Sequence, residues 1–165
     1  PRSRGLGDVY KRQEPELFHP GALDYIHSVE RIGRLSNVIS INGGVQLDLM
    51  GQENAESTGT RQLSGVGGQM DFLEGAYRSK GGKGFICINS SRVTKDGERK
   101  SNILATIPGG STISAPRTMI QYVATEYGIA SLSGKTLRER AEAMASIAHP
   151  DFREELMKYA QENFK

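Results

Sequence analysis

Phe85-Ile86-Cys87-Ile88 is a continuous apolar run of buried-strand length, entered from the basic glycine turn Lys80–Gly84 and closed by Asn89. What flanks it limits the fold further, because strand periods and helix periods alternate along the chain. Val38-Ile39-Ser40-Ile41-Asn42 and Val45-Gln46-Leu47-Asp48-Leu49 each alternate apolar and polar residues. Asn42-Gly43-Gly44 has turn chemistry, so the pair predicts a hairpin. Ile103–Ile107 and Met119–Ala124 predict further strands. Met70, Leu73 and Tyr77 recur at helical spacing, with Asp71 and Glu74 early. Thr136 with Glu139 forms a capping box, and Leu137, Ala141, Met144, Ala145 and Ala148 make one helix face. Proline disfavours helical geometry in the residue before it, so His149-Pro150 ends that helix and Pro150 opens the last one. That last helix packs Phe152, Leu156 and Tyr159. Ala22–Val29 fits either a helix or extended chain, while Gly51–Leu63 and Arg92–Ser101 read as loops. Strands alternating with helices predict an α/β fold, a layered sheet with flanking helices.

Composition excludes several classes. The chain of 165 residues is 36% hydrophobic and 24% charged, which suits one globular domain and not a disordered chain. It has no run of eighteen apolar residues, so no membrane span is expected. One cysteine permits neither a disulfide framework nor a multi-thiolate metal site. The net charge of +2 is unevenly placed. Within Pro1–Gln13, Arg2, Arg4, Lys11 and Arg12 face only Asp8, so the remaining chain is net −1. This segment lacks the apolar core of a signal peptide and the period of a transit helix. A basic arm for nucleic acid is one reading. We favour another: Ser3–Gln13 can be back-translated, in frame, into the end of a widely used transposase sequencing adapter. Residues 1–13 are therefore expected to be a non-native segment, and residues 14–165 the protein proper, cut at its start. No nucleic-acid partner is expected.

Chemistry concentrates in a few places. Gly65-Val66-Gly67-Gly68 opens onto a helix, where unpaired backbone N–H groups bind anions or stabilise an oxyanion. A dinucleotide fingerprint would need glycine where Met70 stands, and a phosphate loop fails because Lys83 is followed by Gly84 and Phe85. A plain structural turn stays equally open. Glu126, before Tyr127-Gly128, is either an acid at a strand's carboxyl end or a capping or salt-bridged carboxylate. Cys87 reads as a small buried hydrophobe. Ser90 and Ser91 lack the glycines of a nucleophile elbow. His19, His27 and His149 share no metal-ligand spacing, so no metal is expected. Arg138, Glu139, Arg140 and Glu142 read as a solvated helix face.

Several ordered stretches carry a resemblance. They are Val38–Asn42, Val45–Gln52, Asn54-Ala55-Glu56-Ser57, Ser64–Phe72, Ser79–Lys83, Thr125–Ala130, and Gly134-Lys135 with Arg138–Ala141, followed by His149–Arg153. Together they resemble the carboxyl-terminal part of the acetyl-CoA hydrolase/transferase family, in particular its 4-hydroxybutyrate and butyryl-CoA:acetate CoA-transferases. The resemblance implies most of the second domain of a cytoplasmic two-domain α/β enzyme, which lacks its first domain here and is inactive alone. Such enzymes exchange coenzyme A between an acyl-CoA and a short-chain carboxylate through a glutamyl-CoA thioester. CoA is a substrate moiety, and no resident cofactor is implied. The nucleophilic glutamate belongs upstream of this chain, and neither Glu30 nor Glu53 lies in its motif. Gly67 and Gly68 are implied as oxyanion donors close to the thiol end of CoA, and Glu126 as a carboxylate beside the nucleophile. Lys95 matches a lysine that touches CoA. Its loop departs from the family's Ala-Lys-Gly, leaving Arg92 and Lys100 as alternative phosphate contacts. Hydrolysis of the same intermediate, a non-catalytic anion-binding module and a homo-oligomeric assembly are the remaining expectations.

Overall fold

A computed structural model describes residues 13–164, so the segment read as adapter-like lies almost wholly outside the described residues. After a short 3-10 turn come two small helices, α1 (Leu23–Ile26) and α2 (Val29–Arg34). Ser28 caps α2 by accepting from the Arg31 N–H. The ambiguous stretch Ala22–Val29 thus holds the whole of α1 and the first residue of α2.

The main sheet has four strands: β1 (Ile39–Gly43), then β6 (Lys83–Cys87), β10 (Tyr122–Thr125) and β11 (Gly128–Ser131). β1 and β10 both run parallel to β6, and β11 turns back antiparallel along β10. A smaller sheet joins β2 (Gln46–Asp48) to β3 (Glu53–Asn54) and to β9 (Ile103–Leu104). Two hairpin ladders complete the strands, β4 (Ser57–Thr58) with β5 (Arg61–Gln62), and β7 (Ser91–Val93) with β8 (Arg99–Ser101). The hairpin expected across Asn42-Gly43-Gly44 does not form. β1 and β2 go to different sheets, because β1 finds a longer parallel partner in β6 than a three-residue β2 offers. The two stretches read as loops each hold short antiparallel pairs.

Of three longer helices, α3 (Gln69–Arg78) and α4 (Leu137–Ser146) pack on one face of the main sheet, and α5 (Pro150–Asn163) packs on α4. They deliver Leu73, Met144 and Leu156 to a core that also holds Ile86, Val123 and Ala130 from the strands and Leu47 and Ile103 from the small sheet. The capping box forms as expected: Thr136 accepts from the Glu139 N–H at 3.3 Å, and Glu139 accepts from the Thr136 N–H at 2.8 Å. His149 caps α5 through its Nδ1, which accepts from the Asp151 N–H, and Pro150 stands first in the helix.

The charged face of α4 is only partly solvated. Arg138 pairs with Glu142 at the surface, whereas Arg140 turns inward and is buried. Its guanidinium donates to the carbonyls of Met50, Leu132 and Arg117, each at 2.8 Å. Burial first, and Arg117 second, lower its proton affinity. Among the described residues no helix is long and apolar enough to cross a membrane.

Candidate functional site

Parallel strands end together, and that is where side chains and backbone groups are left free to meet a ligand. At the carboxyl ends of β1, β6 and β10, a cleft of about 420 Å³ is lined by Gly44, Cys87, Asn89, Thr125 and Glu126 among others. Glu126 sits in the turn joining β10 to β11, as expected of an acid at a strand end. What anchors it comes from the loop that follows β6. The Ser90 N–H donates to one carboxylate oxygen at 2.9 Å, and the Ser90 hydroxyl donates to the other at 2.6 Å. Ser90 itself is fully buried. Partial burial acts to raise the Glu126 carboxyl, but the Ser90 bonds, its own backbone N–H and nearby His149 outweigh that effect. The group stays below the ordinary carboxylate range, so it is a fixed anion at neutral pH. Tyr127 beside it rests edge-on against the His149 ring and under the Arg153 guanidinium.

Cys87 corrects one expectation. Its side chain is exposed at the cleft, because β6 points Ile86, not Cys87, into the core.

The glycine turn lies at the start of α3. Gly67 takes a left-handed φ of +61°, which suits glycine, and Gly68 is the N-cap. A glycine N-cap has no side chain with which to satisfy the first-turn N–H groups, so these remain available to an anion. Any Cβ on Gly68 would run into the His27 imidazole. Gly67 and Gly68 are not among the residues lining the Glu126 cleft. The turn connects to it through one buried side chain. Gln69, next after Gly68, donates its Nε2 to Glu53 Oε2 at 2.9 Å. Glu53 Oε1 has no partner among the described residues and lies beneath Gly44, where a Cβ would approach it to 2.9 Å. Burial first, then the like charge of Glu56, push the Glu53 carboxyl up to about 7 against the pull of Gln69. Nothing in the sequence marks Glu53 for this place, because Gly44 and Gln69, which meet it, come from other segments of the chain.

Lys95 is exposed in the turn of the β7–β8 hairpin and does not line the cleft. Arg92 and Lys100, on the arms of that hairpin, line a neighbouring groove of about 420 Å³ with Arg99, Ile103, Phe152 and Leu156. Asn102 ties the two places together, accepting from Arg92 and donating to the Asn89 carbonyl at 2.9 Å. The Asn54-Ala55-Glu56-Ser57 stretch proves to be a hydrogen-bonded turn. Asn54 Oδ1 accepts from the N–H groups of Glu56 and Ser57, and Glu56 accepts from the Ser114 hydroxyl.

Comparison with known proteins agrees with this architecture. The sequence model of the acetyl-CoA hydrolase/transferase C-terminal domain matches residues 6–160. The chain is 44% identical over 152 residues to butyryl-CoA:acetate CoA-transferase of Anaerostipes caccae, which covers 92% of the chain and 34% of that protein. It is 47% identical over 143 residues to 4-hydroxybutyrate coenzyme A transferase of Clostridium kluyveri, covering 87% and 33%. An acetyl-CoA hydrolase of Eremothecium gossypii is 33% identical over 135 residues, covering 81% and 24%. Among solved structures, 4-hydroxybutyrate CoA-transferase from Porphyromonas gingivalis superimposes with a TM-score of 0.67 at 40% identity, over 86% of the chain and 30% of its own. RipA from Yersinia pestis does so with 0.74 at 40% identity, over 84% and 30%. The chain spans about a third of the length of the curated relatives it matches.

Proposed function

The chain belongs to the acetyl-CoA hydrolase/transferase family as its C-terminal domain, and on that premise we propose that it is the C-terminal part of an acyl-CoA:carboxylate CoA-transferase acting on short-chain acids. The observation that carries this reading is the Glu126 carboxylate, held as an anion by Ser90 at the ends of three strands, in a cleft open to solvent. A glutamate from a segment ahead of this chain attacks the thioester carbonyl, releasing CoA thiolate and leaving an acyl-glutamyl anhydride. The thiolate then attacks the glutamyl carbonyl of that anhydride, which expels the donor carboxylate and leaves CoA on the enzyme as a thioester. The acceptor carboxylate reverses the two steps and departs as its own CoA ester.

In this scheme Glu126 stands beside the nucleophile. Its fixed charge orients the reacting carboxyl groups and disfavours a second carboxylate in the free enzyme. The N–H groups at Gly67 and Gly68 stabilise the oxyanion. Lys95, or Arg92 and Lys100 in the groove that adjoins the cleft, contact CoA phosphate. The chain by itself is inactive because the attacking carboxylate is not in it, and the complete enzyme is cytoplasmic. The test uses the complete polypeptide with butyryl-CoA or acetyl-CoA. Mass spectrometry is expected to find a glutamyl-CoA adduct that acetate discharges, and its absence overturns the proposal. Hydrolysis is the second reading, favoured by the Eremothecium gossypii relative. It predicts free CoA release that does not require acetate.

A further inference from the structure

The four-stranded sheet presents its polarity inverted at β1. Ile39 and Ile41 are 53% and 68% exposed, while Ser40 between them is buried. Register shows how far this apolar side extends. Ile41, Phe85 and Tyr122 lie in one row across the sheet, and Cys87, Ala124 and Ile129 in the next. Paired residues share a face, and the alternate set (Ile86, Val123 and Ala130) is the one buried in the core. The outer face is therefore apolar across its middle, with Lys83 beside Ile39 and Ser131 beside Tyr122 as polar residues at its margins. Phe85 and Tyr122 stack on it with ring centroids 4.8 Å apart, and Ile129 is 64% exposed. Sheets built on parallel strands are normally covered on both faces. Among the described residues, α3 and α4 cover the inner face only. β1 is also an edge strand among the described residues, with one side of its ladder unpaired.

We propose that this outer face is the docking surface for the segment that precedes this domain in the same polypeptide. Two observations favour that occupant over a second copy or an unrelated partner. The matched relatives are about three times as long as the chain, and the matched domain is their C-terminal one. Two-thirds of such a protein therefore lies outside it, ahead of the domain. Continuity is the second observation. Cys87 and Ala124 belong both to the outer face and to the lining of the Glu126 cleft. A segment laid along the face is thereby led to Glu126, the place to which the transferase reading brings its nucleophile. The inference rests on that reading for its occupant.

The experiment pairs residues 14–165 with the separately expressed N-terminal two-thirds of the Anaerostipes caccae relative. A chimera in which residues 14–165 replace the matching third of that relative is made alongside. A one-to-one complex is expected by light scattering, with at least tenfold slower hydrogen exchange at residues 39–43 and 128–131. Ile41→Glu with Ile129→Glu should weaken the complex at least 100-fold. The same pair should lower the melting temperature of the chimera by several degrees, yet leave the isolated chain's unchanged or higher. A chimera indifferent to the double substitution overturns the proposal. So does a homodimer of the isolated chain that the substitution dissolves, which would make a second copy the occupant. A complex that responds to the substitution while the chimera forms no glutamyl-CoA adduct supports the surface and overturns the transferase reading instead.

Discussion

At the scale of residues, the candidate site depends on two carboxylates held in opposite states. Glu126 is kept ionised by Ser90, and Glu53 is kept protonated up to near-neutral pH by burial. Replacing Ser90 with Ala removes the hydroxyl donor, so the Glu126 carboxyl should rise toward the ordinary value of about 4.3. Carbon-13 NMR titration of the chain checks this. A depressed carboxyl lends stability above its unfolded value and loses it as pH falls through the folded one, so Ser90→Ala should also flatten the loss of stability at acid pH. Glu53 has the reverse sign. Its neutral form is the one the fold prefers, so its contribution is complete at about pH 4 and fades as pH rises from 4.5 to about 7. Glu53→Gln should remove that slope, worth roughly 3 kcal/mol at most, as read from urea unfolding at pH 5 and pH 8. Equal slopes in both proteins would show that Glu53 is not protonated in the fold.

At the scale of elements, the parts of α4 that look alike in sequence carry different energies. Thr136 and Glu139 satisfy two end groups of one helix in water, and Thr136→Ala should cost about 1 kcal/mol. Arg140, one residue further on, bridges three carbonyls from three other segments. Arg140→Met leaves the buried Leu132 carbonyl and the part-buried carbonyls of Met50 and Arg117 unpaired, at a cost of about 3 kcal/mol. Denaturant unfolding of the two variants should therefore rank Arg140→Met well below Thr136→Ala, and equal losses would contradict the hydrogen-bond account. The capping box was readable because all its atoms lie within four residues. Arg140 was not, because a helical charge pattern does not say which side of the helix meets another segment. β1 and β2 make the same point: each was visible as a strand, but the hairpin between them was a question of partner choice.

At the scale of the whole molecule, the inner face of the main sheet has its helical layer and, among the described residues, the outer face does not. An apolar sheet face of this extent on a single chain marks an interaction surface. The isolated chain should therefore bind a hydrophobic dye such as anilinonaphthalene sulfonate while fully folded. The fluorescence should fall by at least half in the Ile41→Glu, Ile129→Glu protein, and unchanged fluorescence would place the exposed apolar surface elsewhere. The uneven charge has a bearing at this scale too. The basic excess lies in Pro1–Gln13, so residues 14–165 bring cations only locally, to the groove beside the cleft, through side chains such as Arg92, Arg99 and Lys100.

The amino-acid order alone determined what is local. It set the alternation of strands and helices, the starts of α3, α4 and α5, the glycine turn at Gly67 and Gly68, and the position of Glu126 at a strand end. Periodicity, capping and turn chemistry act over a few residues, so they are written in consecutive letters. The ordered motifs also carried the family. Tertiary structure alone decided which strands pair, which side of β6 is inward, that Ser90 reaches Glu126 across 36 positions, and that Glu53 is buried beneath Gly44. Each of these depends on register and burial between distant segments, where the free energy is a property of the assembled layers and of no single stretch of chain.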